Sequence, residues 1–504
     1  MRLILKDTTD TIKENYLQSL ALLYLPCETF SPTEAEDKLL SVSVSVLDGG
    51  LTAELSFKYY DKTACAHRFE TLADTPEEPF RLQVKLLVGG LFLKAAKELF
   101  GYLPPWGIVT GIRPAKLAAD YLHKYGDQET KRILCEKYFV HPNRAALCIR
   151  TAANEKRLVA PLFEKPFEKT CSLYISIPFC PSKCRYCSFV SATTPRLLAL
   201  IPAYFEKLLD EIASISETIR ALGLKLCSVY VGGGTPAVLS ADQIAALTEK
   251  IHQLFDMTGV EFTFEAGRPD CITIDKLQSL KDGGVTRISI NTQTANNDVL
   301  AAVGRKHTFE DYEKCMNDAR KVGISCINTD LIAGLPGETA ESFCESVRKV
   351  CQLSPENVTV HAFTLKRSSE YKTAHTAHID SASRTAFEMI SSAGSFLTNR
   401  HYEPYYMYRQ KNTVGNLDNT GFSLPGYECL YNIYMMGEYH TVFAAGAGAV
   451  TKYVSRDRER IERTFCVKYP YEYLDPQKYP GFDRAFAEHF YQSVYEKQRQ
   501  IKGD

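Results

Sequence analysis

The chain of 504 residues lacks an excess of charge of either sign, because its 59 lysines and arginines nearly balance its 60 aspartates and glutamates. No global field therefore favours nucleic acid or an anionic membrane surface. No stretch reaches the 18 or more apolar residues of a spanning helix, and the opening MRLILKDTTD meets Asp7 before a signal-type apolar core can form. These absences predict a cytoplasmic protein without a nucleic-acid partner or membrane insertion.

Tryptophan is nearly absent, and internal repeats and low-complexity tracts are missing. The single tryptophan, Trp106, lies in the proline- and glycine-punctuated stretch 103–107, which predicts a shaped connection and not a helix. Single cores seldom grow beyond about 250–300 residues, so the length predicts two or three domains. We place their boundaries at 1–165, 166–390 and 391–504.

The N-terminal segment, 1–165, has the pattern of an accessory α/β domain. Alternating β-type stretches occur at 40–46 and 51–60, with the turn residues Asp48, Gly49 and Gly50 between them. Helical patterns follow from Arg81 to about Phe163. After about 390, aromatic density rises and the alternation fades, which predicts a C-terminal α+β domain that covers the substrate.

The middle of the chain alternates short β-branched runs with helical lengths. This rhythm predicts parallel β/α units, and six units suggest an open, partial (β/α)6 barrel. Polar and glycine-rich residues come just after each run, where β/α barrels place their active sites. The six runs are residues 174–177, 229–231, 262–264, 287–290, 326–329 and 358–360.

Three of the sixteen cysteines stand close together, at Cys180, Cys184 and Cys187 in SIPFCPSKCRYCSF. Thiolates suit iron–sulfur clusters or zinc, and no second cysteine pair with zinc-finger spacing follows. The flanking prolines disfavour a helix, so the triplet is predicted on a loop after the first barrel strand. The pattern favours an iron–sulfur cluster with one open iron over zinc or buried thiols. The other cysteines, such as Cys227 and Cys326, are predicted to be reduced and buried.

Other strand ends carry further candidates. The run Gly232-Gly233-Gly234-Thr235-Pro236 suits either close backbone approach to a ligand or an ordinary tight turn. The carboxylate of Glu265 could accept hydrogen bonds from a ribose or an ammonium group. Asp330 could bind ribose hydroxyls or cap the next helix.

Two arginines and a histidine complete the set. An arginine fork suits a carboxylate, and Arg305 is the better candidate for that role. Arg287 is interpreted as a structural ion-pair partner in preference to a direct ligand of that carboxylate, and His307 as a partially buried histidine with satisfied hydrogen bonds.

The C-x3-C-x2-C spacing after the first strand of a β/α barrel resembles the radical S-adenosylmethionine (SAM) enzymes. The resemblance implies that the three cysteines bind a [4Fe-4S] cluster and serve catalysis through it. It also implies that SAM chelates the open iron, and that an electron from the cluster cleaves the sulfonium to give a hydrogen-abstracting 5′-deoxyadenosyl radical.

More narrowly, LYISIPFC, VGGGTP, GRKHT, NTDLIAGLPGET and GAGAV together resemble the oxygen-independent coproporphyrinogen III oxidases, or dehydrogenases. The stretches PPWGIVTGIRPAKL and YYMYRQKNTVGNLDNTGF are similar to the HemZ type of that family. The implied activity is that of an oxidoreductase of haem biosynthesis, which converts propionates of coproporphyrinogen III to vinyl groups and yields protoporphyrinogen IX. A tetrapyrrole substrate and an electron donor such as flavodoxin or ferredoxin are the implied partners.

The resemblance also assigns cofactor contacts position by position, to one or two molecules of SAM. The first molecule is assigned Tyr174, Tyr186, Gly233, Gly234, Thr235 and Glu265. The second is assigned Gln293, Arg305, Asp330, Thr364 and Val450.

Two departures from the family pattern bear on the substrate. Phe189 stands where the best-known dehydrogenases have a fourth cysteine, and Ser176 stands where they have a histidine. The cluster cysteines are unaffected. A haem chaperone, another anaerobic tetrapyrrole enzyme such as a haem-modifying methyltransferase, and an RNA-modifying enzyme are the alternatives, and the balanced charge disfavours the last.

Overall fold

The structure, a computed structural model, describes residues 1–26, 28–32, 37–47, 49–72, 78–163, 170–187, 192–364, 379–410, 413–455 and 457–502. It divides into two compact units. The first unit consists of Met1–Ala153, Thr376–Ser391 and Met407–Asp418. The second consists of Asn154–His375, Ser392–Tyr406 and Asn419–Asp504. The three-domain division drawn from the sequence stays a prediction.

A four-stranded sheet forms the centre of the first unit. Its strands lie in the order β1-β2-β3-β4, with β1 parallel to β2 and the other neighbours antiparallel. The two predicted strands are confirmed as β2 and β3, whereas β1 and β4 escaped prediction. The strands are β1 (Arg2–Asp7), β2 (Lys38–Leu47), β3 (Gly50–Tyr59) and β4 (Lys62–Thr71).

Helices follow this sheet over the stretch where the sequence predicts them. The third helix of the unit is interrupted at Gly126, whose φ of 74° lies in the left-handed region. The stretch around Trp106 is non-helical, as predicted. The helices are α1 (Glu14–Ala21), α2 (Phe80–Phe100), α3 (Pro114–Glu136) and α4 (Pro142–Phe163).

Trp106 lies in the core of the first unit, where it is 1% exposed. Its indole Nε1 donates a hydrogen bond to Oδ1 of Asp418 at 2.9 Å, and Nη1 of Arg144 lies 3.4 Å from both oxygens of the same carboxylate. The guanidinium of Arg409 lies over the indole ring and donates to the carbonyls of Val109 and Asn416. Residues near 410 therefore complete a core that the N-terminal segment of the unit begins.

The second unit is built on six parallel strands that follow one another in chain order. Each overlaps one of the six predicted runs, which confirms the α/β class and the β/α repeat. These strands are largely buried along their length, as is typical of parallel strands covered on both faces. They are β5 (Thr170–Ile177), β6 (Lys225–Gly233), β7 (Glu261–Gly267), β8 (Arg287–Ile290), β9 (Ile327–Ala333) and β10 (Asn357–Ala362).

Later strands extend this sheet at both ends. Their bounds are β11 (Glu403–Arg409), β12 (Asp418–Ser423), β13 (Thr441–Ala445), β14 (Val450–Val454) and β15 (Ile461–Phe465). The sheet order is β11-β12-β10-β9-β8-β7-β6-β5-β13-β14-β15. Because β5 pairs with β13 and β10 pairs with β12, the six-strand set is open in the described sheet.

Helices connect the parallel strands, and several begin at a capping residue. Ser240 and Thr308 each form a capping box, with Gln243 and Asp311 respectively. The remaining helices are α5 (Pro195–Leu198), α6 (Ile201–Ala221), α7 (Ala241–Leu254), α8 (Ile274–Asp282), α9 (Asn297–Ala302), α10 (Phe309–Lys321), α11 (Ala340–Gln352), α12 (Ile379–Asn399), α13 (Leu430–Gly437), α14 (Pro470–Tyr473) and α15 (Arg484–Lys502).

The helices and the cysteines bear on two further predictions from the sequence. Among the described residues, no helix has both the length and the apolar character needed to cross a bilayer. Cys326 is buried as predicted, but Cys227 is partly exposed because it lies near the start of β6, so the prediction of burial is wrong there.

Candidate functional site

The predicted cysteine loop, residues 178–187, follows β5 directly and contains no helix. Cys180 and Cys184 are each 8% exposed, and Cys187 is partly exposed. The backbone N–H of Cys187 donates to the carbonyl of Cys184 at 3.0 Å, which curls the loop around its second cysteine. The N–H of Cys180 donates to the carbonyl of Ala192 at 3.1 Å. The position after the first barrel strand agrees with the prediction.

The glycine loop after β6 lies directly against the cysteine loop. The N–H of Gly234 donates to the carbonyl of Ile177 at 2.9 Å, and that of Thr235 donates to Phe179 at 2.8 Å. The hydroxyl of Thr235 lies 3.3 Å from the sulfur of Cys180. A Cβ at position 234 would stand 2.5 Å from the Phe179 carbonyl oxygen and 3.0 Å from the Cys180 sulfur. Glycine is therefore required here for close approach.

The chemistry of the cysteine loop fits an iron–sulfur cluster. No three described His, Cys, Asp or Glu side chains converge to hold one metal ion. A [4Fe-4S] cluster is a larger group in which each thiolate binds a different iron. Cys180 and Cys184 are free thiols on a short irregular loop with Gly234 against it, which suits that larger group.

Glu265 lies two residues before the end of β7, close to the glycine loop. The hydroxyl of Tyr230 donates to its carboxylate, and a Cβ at Gly232 would stand 2.9 Å from its Oε2. Burial raises the pKa of the Glu265 carboxyl to about 7; the Tyr230 hydrogen bond opposes the shift and the nearby Asp330 adds to it. A carboxylate in this setting can accept hydrogen bonds from an ammonium group or a ribose.

Three tyrosines stack beside Glu265. The ring centroids of Tyr230 and Tyr431 are 4.4 Å apart, and Tyr174 lies 6.2 Å from each of them. Tyr174 was predicted from the family motif. Tyr230 and Tyr431 were missed because an isolated aromatic in an apolar run has the same pattern as any core residue.

Asp330 lies in the middle of β9, three residues before its end, and contacts Gln293, which comes three residues after the end of β8. The N–H of Gln293 donates to the Asp330 carbonyl at 3.0 Å, and Gln293 has a φ of 74°, which non-glycine residues seldom adopt. The Asp330 carboxylate accepts a bond from Asn328 at 2.9 Å, and its Oδ2 lies 3.6 Å from Nε2 of His361. Burial acts to raise the pKa of Asp330, but the His361 and Asn328 contacts outweigh it and hold that pKa below its usual value.

The alternative role of Asp330 as a helix cap is wrong. The next helix, α11, is capped by the hydroxyl of Thr339, which accepts from the N–H of Ser342. The rest of β9 and a turn of several residues separate Asp330 from that cap, so its carboxylate stays within the strand.

Arg305 and Tyr186, which the family motif predicts separately, are in direct contact. Nε of Arg305 donates to the hydroxyl of Tyr186 at 3.1 Å. Their loops are also joined through the backbone, since the N–H of Arg185 donates to the carbonyl of Val303 at 3.0 Å. The end of the cysteine loop is thereby held against the loop that follows α9.

Arg268 is a site residue that sequence reasoning missed. It is 4% exposed, and its Nη1 donates to the hydroxyl and carbonyl of Ser182 at 2.9 and 3.1 Å. The same nitrogen lies 3.9 Å from the sulfur of Cys184. Its other nitrogens bind both oxygens of Asp270, at 2.9 and 2.7 Å. The run FEAGRPD carried the signal, because this arginine comes shortly after Glu265.

The remaining candidates lie at other strand ends. Thr364 follows β10 and donates to the carbonyl of Ala362 at 3.2 Å. Val450 begins β14, and the turn before it is held to β5 because the hydroxyl of Ser176 donates to the carbonyl of Ala447 at 2.9 Å. Ser188 and Phe189 lie outside the described residues.

The predictions made for Arg287 and His307 have different outcomes. Arg287 donates to Asn357 and to the carbonyl of Glu428, and Glu261 lies 3.6 Å away, which confirms a structural role. His307 is only 2% exposed, and neither ring nitrogen has a hydrogen-bond partner among the described residues. The prediction of a satisfied, partially buried histidine is therefore wrong, because the ring is almost fully buried and neither nitrogen is paired there.

Comparison with known proteins agrees with this geometry. The model of the Radical SAM superfamily matches residues 174–350. The oxygen-independent coproporphyrinogen-III oxidase-like protein HemZ of Bacillus subtilis is 34% identical over 462 residues, which cover 91% of this chain and 92% of that protein. The heme chaperone HemW of Lactococcus lactis is 33% identical over 284 residues, covering 56% and 69%.

Among solved structures, the coproporphyrinogen III oxidase HemN of Escherichia coli aligns with a TM-score of 0.44 and 24% identity, over 60% of this chain and 67% of that one. The HemZ alignment includes the residues before the barrel, and the superfamily match includes the cysteine loop. The chain therefore belongs to the radical SAM superfamily, which uses a [4Fe-4S] cluster and SAM, and within it to the oxygen-independent coproporphyrinogen III oxidase family, together with the HemZ-type proteins.

Proposed function

We propose that this protein removes carboxyl groups from coproporphyrinogen III without oxygen and so forms protoporphyrinogen IX. In each round the β-carbon of a propionate would give one hydrogen atom to the radical that SAM supplies. Loss of carbon dioxide, and of one electron to a one-electron acceptor, would then leave a vinyl group. Two rounds complete the conversion. We further propose that a flavodoxin or ferredoxin delivers the electron that starts each round.

One observation carries the proposal: the strand-end motifs of the family contact one another in pairs. Thr235 contacts Cys180, Gln293 contacts Asp330, and Arg305 contacts Tyr186. Each pair joins segments that are far apart in sequence, so the family's set of motifs is assembled at one edge of the parallel strands.

The residues around the cysteine loop would have separate roles in binding the cluster and SAM. Cys180, Cys184 and Cys187 would each hold one iron, and the cluster with SAM would supply the radical chemistry when bound. Gly233, Gly234, Thr235 and Glu265 would orient the amino group and ribose of SAM through backbone groups and the buried carboxylate. The stacked tyrosines would exclude water from the reacting region.

A second group of residues would hold further anionic or hydroxyl groups. Arg305 offers a guanidinium to a carboxylate, and Asp330 is kept ionised to accept hydroxyl hydrogens. Gln293 would add an amide from its left-handed backbone position. We propose these three as contacts for a second SAM molecule, with Thr364 and Val450 nearby in the family pattern.

A product assay tests this function. Anaerobically reconstituted full-length protein, with a flavodoxin-type reductant, SAM and coproporphyrinogen III, is expected to yield protoporphyrinogen IX, measured by chromatography after oxidation. The control reaction omits SAM. Cleavage of SAM with no vinyl product would contradict the assignment of substrate.

Replacement of a cluster cysteine gives a second test. Cys184→Ala is expected to abolish cluster absorbance and SAM cleavage together, because two protein ligands hold a [4Fe-4S] cluster poorly. Cys65→Ser is the matched control, since Cys65 is an exposed cysteine on β4. Full iron content in the Cys184 variant would refute the ligand assignment.

Haem delivery is the second candidate, favoured by the similarity to HemW from several bacteria. The chain covers 69% of the Lactococcus lactis protein but 92% of HemZ, and this fuller coverage of the oxidase-like relative supports the first proposal. Stoichiometric haem binding followed by transfer to an apo-haemoprotein, without formation of vinyl product, would favour the chaperone role.

A further inference from the structure

Arg268 occupies the space between the cysteine loop and the turn after β7. Its guanidinium is almost fully buried, and it has polar partners on two sides. On one side it meets both carboxylate oxygens of Asp270, and on the other it meets Ser182 and the sulfur of Cys184. No residue assigned from the family pattern makes this connection.

The cost of burial indicates that these contacts are specific. A charged group removed from water requires pairing and saturated hydrogen bonds, and Asp270 supplies the bidentate pairing that suits a guanidinium. Nη1 then directs its hydrogens to the cysteine loop, where Ser182 Oγ, Ser182 O and Cys184 Sγ lie 2.9, 3.1 and 3.9 Å away. The positive charge is thus aimed at the second cysteine.

The charged groups around Arg268 bear on how its positive charge acts on the Cys184 sulfur. Asp270 is the acidic side chain bound to it, and His307 lies 3.9 Å from Asp270. Burial lowers the pKa of His307 to about 4, so the ring is neutral near pH 7. Among the described contacts, the guanidinium of Arg268 is the charged group in hydrogen-bonding range of the Cys184 sulfur, and Arg305 adds a second positive charge that acts on the same cysteine.

We propose that Arg268 is a positioning residue for the cysteine loop and sets the reduction potential of the cluster bound there. The inference rests on the proposed role of Cys184 as an iron ligand. Reduction adds one electron and makes the cluster more negative, so a nearby positive charge and a hydrogen bond to a ligand sulfur both stabilise the reduced form. Arg268 thereby raises the potential, and Asp270 partly offsets it.

Two substitutions with opposite charge effects test the proposal. Arg268→Gln removes the positive charge and should lower the equilibrium constant for reduction at least tenfold, which is about 59 mV for a one-electron couple. Asp270→Asn removes the negative charge and should shift the potential in the opposite direction. If Arg268 and Asp270 formed only a structural ion pair, both substitutions would shift the reduction potential in the same direction, because both break that pair.

The reduction potential is measured by an anaerobic dithionite titration of the reconstituted full-length protein. The electron paramagnetic resonance signal of the reduced cluster is the readout of that titration. Arg268→Lys retains the charge and is expected to stay within threefold of the wild-type constant. Arg185→Gln is the matched control on the same loop, since this exposed arginine donates to the Ala302 carbonyl instead. Potentials unchanged in both Arg268→Gln and Asp270→Asn would overturn the proposal.

The apo-protein provides a readout that does not depend on a loaded cluster. Hydrogen exchange of the backbone amides from 182 to 187 should be faster in Arg268→Gln than in wild type, and unchanged in Cys65→Ser, whose substitution lies on β4. If Arg268→Gln holds no cluster, the opposite shift in Asp270→Asn still supports the proposal, and its absence refutes it.

The two inferences fail in different ways. A Cys184→Ala protein with a full cluster refutes the ligand assignment and the proposed function with it. A Cys184→Ala protein without a cluster, beside an Arg268→Gln protein with wild-type potential and exchange, refutes only the role of Arg268.

Discussion

Glu265 is a carboxylic acid held in the folded chain at a pKa of about 7, against an ordinary value of 4.5, mainly because of burial. The folded state therefore keeps its proton over a range in which the unfolded chain has lost it. A raised acid of this kind makes the free energy of unfolding fall as pH increases from about 4.5 to about 7. The folded chain is therefore less stable at a pH where Glu265 is ionised than at a pH where this side chain keeps its proton.

Glu265→Gln is expected to remove this dependence. The difference in free energy of unfolding, wild type minus variant, should decline between pH 4.5 and about 7 and then level off, as measured by urea unfolding at several pH values. Glu54→Gln, at an exposed position of β3, is the control and should give parallel curves. Parallel curves for Glu265→Gln would contradict the raised pKa.

Single residues differ in how far the sequence could reveal them. Cys180, Cys184 and Cys187 were identifiable because their spacing along the chain is itself the signal. Arg268 was not, because its partner Ser182 lies 86 residues away and only the alignment of β5 with β6 and β7 brings the two together.

At the scale of secondary-structure elements, the N-terminal cap of α10 lies next to the loop that carries Arg305, so the stability of this helix bears on the candidate site. Its N-cap, Thr308, directly follows His307 and comes shortly after Arg305, and its hydroxyl accepts from the N–H of Asp311 at 3.3 Å. The Asp311 carboxylate accepts in return from the N–H of Thr308 at 2.8 Å. The capping box therefore fixes the end of the loop that presents Arg305 to Tyr186.

Thr308→Ala is expected to lower the stability of α10 by about 1 kcal/mol, since one cap hydrogen bond is lost. The expected observation is faster hydrogen exchange in the first turn of α10, at residues 309–312, with exchange in α7 unchanged. Thr63→Ala, at an exposed position of β4, is the control. Equal protection of α10 in wild type and Thr308→Ala would show that the cap contributes nothing.

The strands show where prediction of elements succeeds and fails. The six parallel strands were predictable because burial on both faces produces short β-branched runs. The pairing of β13 with β5 was not, because Ala444 and Tyr174 belong to strands that are far apart in sequence and are register partners only in the folded sheet. Periodicity is a local property and contains no information about such a partner.

At the scale of the whole molecule, the first unit is discontinuous in sequence. Met407 and Leu417 come from its last segment and are 2% and 0% exposed. Trp106 and Arg144, from its first segment, meet Asp418 from that same late segment. The later part of the chain therefore carries a segment whose partners lie in Met1–Ala153.

Deletion of residues 1–153 is expected to give a protein that aggregates more than the full-length chain, because the segment 407–418 would expose its apolar side chains and leave the Asp418 carboxylate without Trp106 and Arg144. Size-exclusion chromatography and binding of a hydrophobic dye measure the effect, with the full-length chain as the reference. A monomeric fragment with a sharp thermal transition would contradict this expectation.

The contact between Trp106 and Asp418 also has a consequence for biosynthesis. The two residues are 312 positions apart. A ribosome that adds about 5–20 residues per second needs roughly 15 to 60 s to make that stretch. During this time Trp106 and Arg144 of the nascent first unit lack the Asp418 carboxylate that they bind in the folded chain. A chaperone that binds the nascent first unit at this stage would keep these unpaired side chains from other contacts.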